Sequence, residues 1–159
     1  MELYLVKNKL PEKVDQVSKV DKTKTKMIFE TILVIILILL IFSSYFDIKT
    51  FEVPYLCSIS IFVLSIFSLL YQNNIKTHLI AGLICFIIGW LFAEFNIWGG
   101  ADSQLLISMG FLFGFSIFFV WFCCIAIIYA MIFLLFIKNV KNPPFVPVFL
   151  FSYILTVML

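Results

Sequence analysis

Charge is scarce in this 159-residue chain: Lys, Arg, Asp and Glu together make up 13% of it, and no residue is arginine. Eleven lysines against nine acidic residues leave a net charge of +2, with no basic stripe along any segment. That excludes a nucleic-acid partner. A soluble domain of this size needs far more polar residues to cover its surface. Here 64% of the residues are hydrophobic, 20 of them phenylalanine, and mean hydropathy is +1.15. The composition is that of an integral membrane protein, with the lipid bilayer as its surroundings.

Cysteine and histidine are scarce too. Cys57, Cys85, Cys123 and Cys124 all lie in apolar runs, none at metal-ligand spacing, and read as small apolar packing residues. No metal and no cofactor is expected. A signal-peptide pattern is absent as well, because the first apolar run is too long and lacks a small-residue exit. There is no internal repeat and no sign of a second globular domain.

What is present is apolar sequence in membrane-length pieces. Residues 1–26 form a polar, lysine-rich N-terminal tail, and residues 27–159 a single membrane-embedded domain. The first span is 27–46, about 20 residues, with Glu30 near its start. A polar loop, 47–54, follows, and Pro54 suits the first turn of the next helix. The second span is 54–71 and a turn covers 72–76. The third span is 77–97, with His78 at one end as a plain interfacial residue and Glu94 near the other.

The stretch 105–137 carries no charge. As one helix it would measure ~50 Å, against a hydrocarbon core of ~30 Å. With Gly110 and Gly114 in its first third, it is expected to break into a short segment near 103–115 and a full span near 117–137. One long tilted helix is the alternative. A polar breaker at 138–144 precedes a last apolar helix, 145–159. Open sheet edges cannot sit in lipid. The expected fold is therefore an all-α integral membrane protein, with about six transmembrane or membrane-embedded helices in one bundle.

Two aspartates stand out in that apolar background. Asp47 and Asp102 each lie at the edge of an apolar segment, where an ionised carboxylate is costly and usually has a function. Two apolar segments separate them, so an even number of crossings returns both to the same face. Asp102 stands in Trp98-Gly-Gly-Ala-Asp-Ser-Gln-Leu-Leu106. Gly99, Gly100 and Ala101 permit an unwound backbone and the close approach of another chain. Singly, each aspartate has a plainer reading: Asp102 as the N-cap of the next helix, and Asp47 as a loop carboxylate beside Lys49. Together they form the arrangement of an aspartyl protease, two carboxylates that share one proton.

Three stretches resemble a known family. Asp47-Ile-Lys-Thr-Phe-Glu-Val-Pro54 is similar to the Asp-x6-Pro stretch of type IV prepilin peptidases and archaeal preflagellin peptidases. Gly99-Gly100-Ala101-Asp102 resembles their Gly-x-Gly-Asp motif, and Pro144-Phe145-Val146-Pro147 the Pro-Phe-x-Pro that opens their last helix. Two positions depart from the pattern: Ala101 replaces a glycine, and Gln104 stands where the family usually has lysine. The resemblance implies a membrane aspartyl endopeptidase that removes a short basic leader from prepilin-like or preflagellin-like substrates. The catalytic pair would be Asp47 and Asp102, supported by Gly99, Gly100, Ala101 and Pro54. Without the cysteine-rich insertion of the large bacterial members, a peptidase lacking methyltransferase activity is implied. Glu52 is a candidate for meeting the basic leader, and Glu94 a candidate neighbour of the pair; as plain residues they are a solvated loop carboxylate and a helix end.

Two other classes fit parts of the sequence. A small ion- or proton-coupled transporter would carry its carboxylates mid-helix along one path, whereas Asp47 and Asp102 sit at segment edges. A non-catalytic assembly subunit, a degenerate homologue, differs from the peptidase only in activity. Orientation divides the cues: lysine counting puts the N-terminal tail in the cytoplasm and both aspartates outside. The resemblance implies the reverse, an active site on the cytoplasmic face of the cell membrane, and that is the expectation followed. A true start at Met27 would remove the conflict.

Overall fold

The computed structural model describes residues 2–94, 99–136 and 144–158, with side chains over 23–94, 99–129, 131–132 and 144–158. Among these residues there are six α-helices and no strand. They are α1 (Glu2–Thr50), α2 (Tyr55–Ser68), α3 (Ile75–Glu94), α4 (Gly100–Phe113), α5 (Ile117–Phe136) and α6 (Val146–Met158). A single 3-10 turn, Leu69–Tyr71, extends α2. Two helical stretches are long and apolar enough to cross a membrane: Thr23–Thr50, within α1, and Ile75–Glu94. Large apolar side chains such as Ile38, Leu56 and Leu83 cover the outside.

The uncharged stretch divides where expected. Gly114 ends α4 with φ +61°, a conformation L side chains rarely adopt, and its N–H donates to Gly110 O at 3.0 Å. The expected loop at 47–54, by contrast, begins later. α1 continues to Thr50, so Asp47 lies inside a helix rather than in a loop. What stops α1 is Phe51, at φ 56°, whose N–H donates to Asp47 O at 3.0 Å. That backbone bond closes the last turn around Asp47. The lysine-rich segment is continuous with α1, which begins at Glu2.

α4 is the central helix, with α3 and α2 against it, while α6 bridges α1 and α5. The α3–α4 seam works because its residues are small. Ala81, Gly82, Cys85 and Gly89 are buried along α3. A Cβ on Gly110 of α4 would lie 2.8 Å from Cys85 Sγ and 3.0 Å from Ala81 O. Nothing larger than hydrogen fits there, which is how small residues let two helix backbones approach. Ser103 Oγ then donates to Gly89 O at 2.8 Å, fixing the antiparallel register. On the other side, Tyr153 of α6 donates to Leu33 O of α1 at 2.7 Å and packs among Ile36, Leu40, Phe118 and Phe149.

These pairings run α1 and α6 antiparallel, α3 and α4 antiparallel, and α2 and α4 parallel. The result is geometric. The C-terminus of α1 and the N-termini of α2, α4 and α6 gather at one end of the molecule, and that end holds both aspartates.

Candidate functional site

Asp47 occupies the last full turn of α1 and is only 4% exposed. Its Oδ2 accepts the backbone N–H of Val146 at 2.8 Å, across 99 residues of sequence. The Phe145 N–H also donates to it. A carboxylate from α1 therefore caps the N-terminus of α6, where the helix leaves its first N–H groups without partners and its dipole favours a negative charge. Val146 belongs to the Pro144–Pro147 motif, so two of the three sequence motifs meet in one hydrogen bond. Tyr129 OH donates to Pro144 O at 2.6 Å and lies within electrostatic reach of Asp47, tying α5 to the same corner.

Asp102 lies in the first turn of α4. The N-cap is Gly99, not Asp102 as expected: Asp102 stands three residues on, and its Oδ2 accepts the Gly99 N–H at 3.4 Å. Ser103 N–H donates to Gly99 O at 3.2 Å, the first i→i−4 bond of the helix, so Asp102 supplies the half of a capping box that does not need an N-cap side chain. The second oxygen of Asp102, Oδ1, is buried with no hydrogen-bond partner. The charge of Asp47 reaches Asp102, so the two carboxylates belong to one electrostatic site. At 14 residues, α4 is short of membrane-spanning length. Burial, and after it the charge of Asp47, pushes the Asp102 carboxyl from 3.8 up to about 6, against the opposing Gly99 N–H.

The small residues before Asp102 make no left-handed turn. None has a positive φ; Gly99 is extended at φ −74°, and Gly100 already belongs to the helix. A Cβ on Gly100 would meet nothing within 4 Å. The run leaves open space beside Asp102 instead of making a strained turn. Pro54 precedes α2 at φ −58° and its carbonyl accepts the Cys57 N–H at 2.9 Å. Gln104 turns toward α2, where its Oε1 accepts the Ser58 hydroxyl at 2.8 Å. Glu52 and Glu94 are both exposed at the aspartate end, in the α1–α2 connection and at the last residue of α3.

Residues 34–158 match a family model described as the type IV leader peptidase family. The chain belongs to that family. Comparison with curated proteins gives no match, and neither does comparison with solved structures. The matched residues include Asp47, Asp102 and Pro144–Pro147, and leave the lysine-rich tail outside. Membership makes a leader-peptidase-like activity the frame for the site.

Several features of the structure went unread in the sequence. The bond from Val146 to Asp47 leaves no local signal, because its partners are 99 residues apart. Ser43, fully buried one turn before Asp47, did leave one: a Ser43-Ser44 pair interrupts an apolar run. His78 is more than an interfacial residue, since its Nδ1–H donates to Phe111 O at 3.1 Å and caps the far end of α4. A groove of about 670 Å³ between α2, α3 and α4 is lined by apolar side chains and Gln104 and holds neither aspartate. Among the described residues, no group of three His, Cys, Asp or Glu side chains forms a metal site.

Proposed function

We propose that this chain is a multi-pass membrane aspartyl endopeptidase that cuts the short basic leader from prepilin-like or preflagellin-like proteins at the cytoplasmic membrane face. Residues 27–159 form the membrane-embedded peptidase domain, residues 1–26 a polar tail, and Asp47 and Asp102 the catalytic pair. The observation that carries this reading is that Asp47 and Asp102, from helices far apart in sequence, lie at the same end of a chain that belongs to the leader peptidase family, near enough for the charge of one to act on the other.

Two neighbouring carboxylates ionise together only at a high electrostatic cost, so the pair retains one proton. The ionised member takes a proton from water as the water oxygen attacks the scissile carbonyl carbon. The protonated member donates to the carbonyl oxygen. Collapse of the tetrahedral intermediate breaks the C–N bond, and the leaving nitrogen takes its proton from the pair. The roles belong to the dyad as a unit. The open space at Gly100 admits an extended substrate backbone near Asp102. Glu52 and Glu94, exposed at the same end, supply negative charge toward a basic leader.

The test is cleavage of a leader-bearing prepilin-like peptide by wild type, Asp47→Asn and Asp102→Asn. Asparagine keeps an acceptor for the Val146 and Gly99 N–H groups, so both variants are expected to fold and to lose cleavage. Substantial activity in either would sink the dyad.

A further inference from the structure

Most buried serines in these helices donate to a carbonyl about one turn back, and Ser43 does not. Ser65, Ser108 and Ser152 are fully buried, and each donates its hydroxyl to the carbonyl four residues earlier, at 2.8, 2.6 and 2.7 Å. That back-bond is the ordinary way a serine satisfies itself inside an apolar helix. Ser43 is equally buried, at 0% exposure, within the uninterrupted helix α1. Its Oγ nevertheless has no hydrogen-bond partner. A buried hydroxyl left in that state destabilises the fold, so its retention calls for another use.

Its position indicates which. Ser43 and Asp47 are four residues apart on α1, hence neighbours on one helix face, and both point into the protein. Asp47 acts electrostatically on Asp102, whose Oδ1 is the second buried atom without a partner. Ser43 offers a donor and Asp102 Oδ1 an acceptor at the end of the bundle where Asp47 stands, one helical turn from Ser43. The remaining atom of this kind, Trp121 Nε1, lies near the start of α5, at the opposite end of the bundle.

We propose that Ser43 is a positioning residue of the aspartate pair, holding the attacking water between the two carboxylates; this rests on the aspartyl peptidase reading above. The Ser43 O–H donates a hydrogen bond to one lone pair of the water, with no proton transferred. The water directs its own hydrogens to the carboxylates and keeps its other lone pair for the carbonyl carbon.

Ser43→Ala and Ser43→Thr would be purified in detergent and compared with wild type and Asp102→Asn, by steady-state cleavage of the same peptide and by thermal unfolding. For Ser43→Ala, kcat is expected to fall about ten-fold, the worth of one hydrogen bond, while KM stays within about two-fold. Its melting temperature should equal or exceed that of wild type, because an unpartnered polar group has been removed. Ser43→Thr, which restores the hydroxyl, should recover most of kcat. Unchanged kcat in Ser43→Ala overturns the proposal. So does a variant that melts lower or fails to fold, since the hydroxyl would then be structural. If wild type cleaves, Asp102→Asn is inactive and Ser43→Ala is fully active, the role of Ser43 alone is lost. Cleavage by Asp102→Asn would instead bring down the aspartyl reading itself.

Discussion

At the end of α4 that carries Gly114, polar side chains are used to close the helix: His78 donates to Phe111 O at 3.1 Å and Gln72 Nε2 to Leu112 O at 3.3 Å. At the other end, Asp102 closes the helix with one oxygen and leaves the second buried and unpartnered. The glycines differ in the same sense. Gly114 has a positive φ with the His78 ring 3.4 Å from where a Cβ would stand, whereas Gly100 has open space. Both ends are capped, yet only one keeps polar capacity in reserve. Burying such capacity costs stability, and it is found where the helix meets Asp47. One end of α4 holds the helix in place, and the other keeps a site available.

The comparison breaks most sharply if the two ends exchange behaviour on mutation. Asp102→Asn is expected to abolish peptide cleavage while leaving the melting temperature near or above that of wild type. His78→Ala should do the opposite, lowering stability by about 1 kcal/mol through a lost carbonyl partner while cleavage per folded molecule is kept. Paired activity and unfolding measurements would show this, and activity loss from the histidine variant would remove the distinction between the ends.

A larger stability effect belongs to the seam that holds both ends in register. Gly110→Leu must displace Cys85 and the backbone of Ala81, so a loss of about 3 kcal/mol or more is expected. Detergent-solubilised yield and thermal unfolding would report it; a normal melting temperature would mean that α3 and α4 can separate freely.

Alanine at the two terminal glycines refines the contrast. Gly114→Ala should cost about 1–2 kcal/mol for its left-handed backbone. Gly100→Ala should be neutral or gain about 0.5 kcal/mol, since the position is helical and uncrowded. Equal effects would contradict the difference in space.

A further difference between the ends is in pH. The Asp102 carboxyl is raised from 3.8 to about 6 in the folded protein, so folding favours its protonated form. Its contribution to stability is complete below 3.8 and lost as pH rises through about 6. Unfolding of wild type and Asp102→Asn across that window should show wild type losing stability relative to the variant. Parallel curves would mean that Asp102 is not held in a buried, charge-coupled place.

Much of this was legible along the chain. Spacing and composition placed the second, third, fifth and sixth helices, and the uncharged stretch did break at Gly114 because an apolar helix that long has no common environment. The end of α1 was not legible. Asp47-Ile-Lys-Thr is polar enough to read as a loop, but the helix runs through it until Phe51 turns left-handed, a position with no glycine to signal the turn. Gly110 read as a breaker and is a packing residue, because only the neighbouring helix creates the need for its missing side chain.

The amino-acid sequence by itself determined the helical class, the apolar segmentation, the family and the identity of the two aspartates, since each of these follows from composition, period or short motifs. Tertiary structure alone decided how those aspartates are placed: that Asp47 caps α6 through Val146, and that both aspartates lie at one end of the bundle. The reason is physical. Local pattern specifies what a segment prefers, but the partner of a buried polar atom is fixed by how helices pack, and here those partners lie up to 120 residues away.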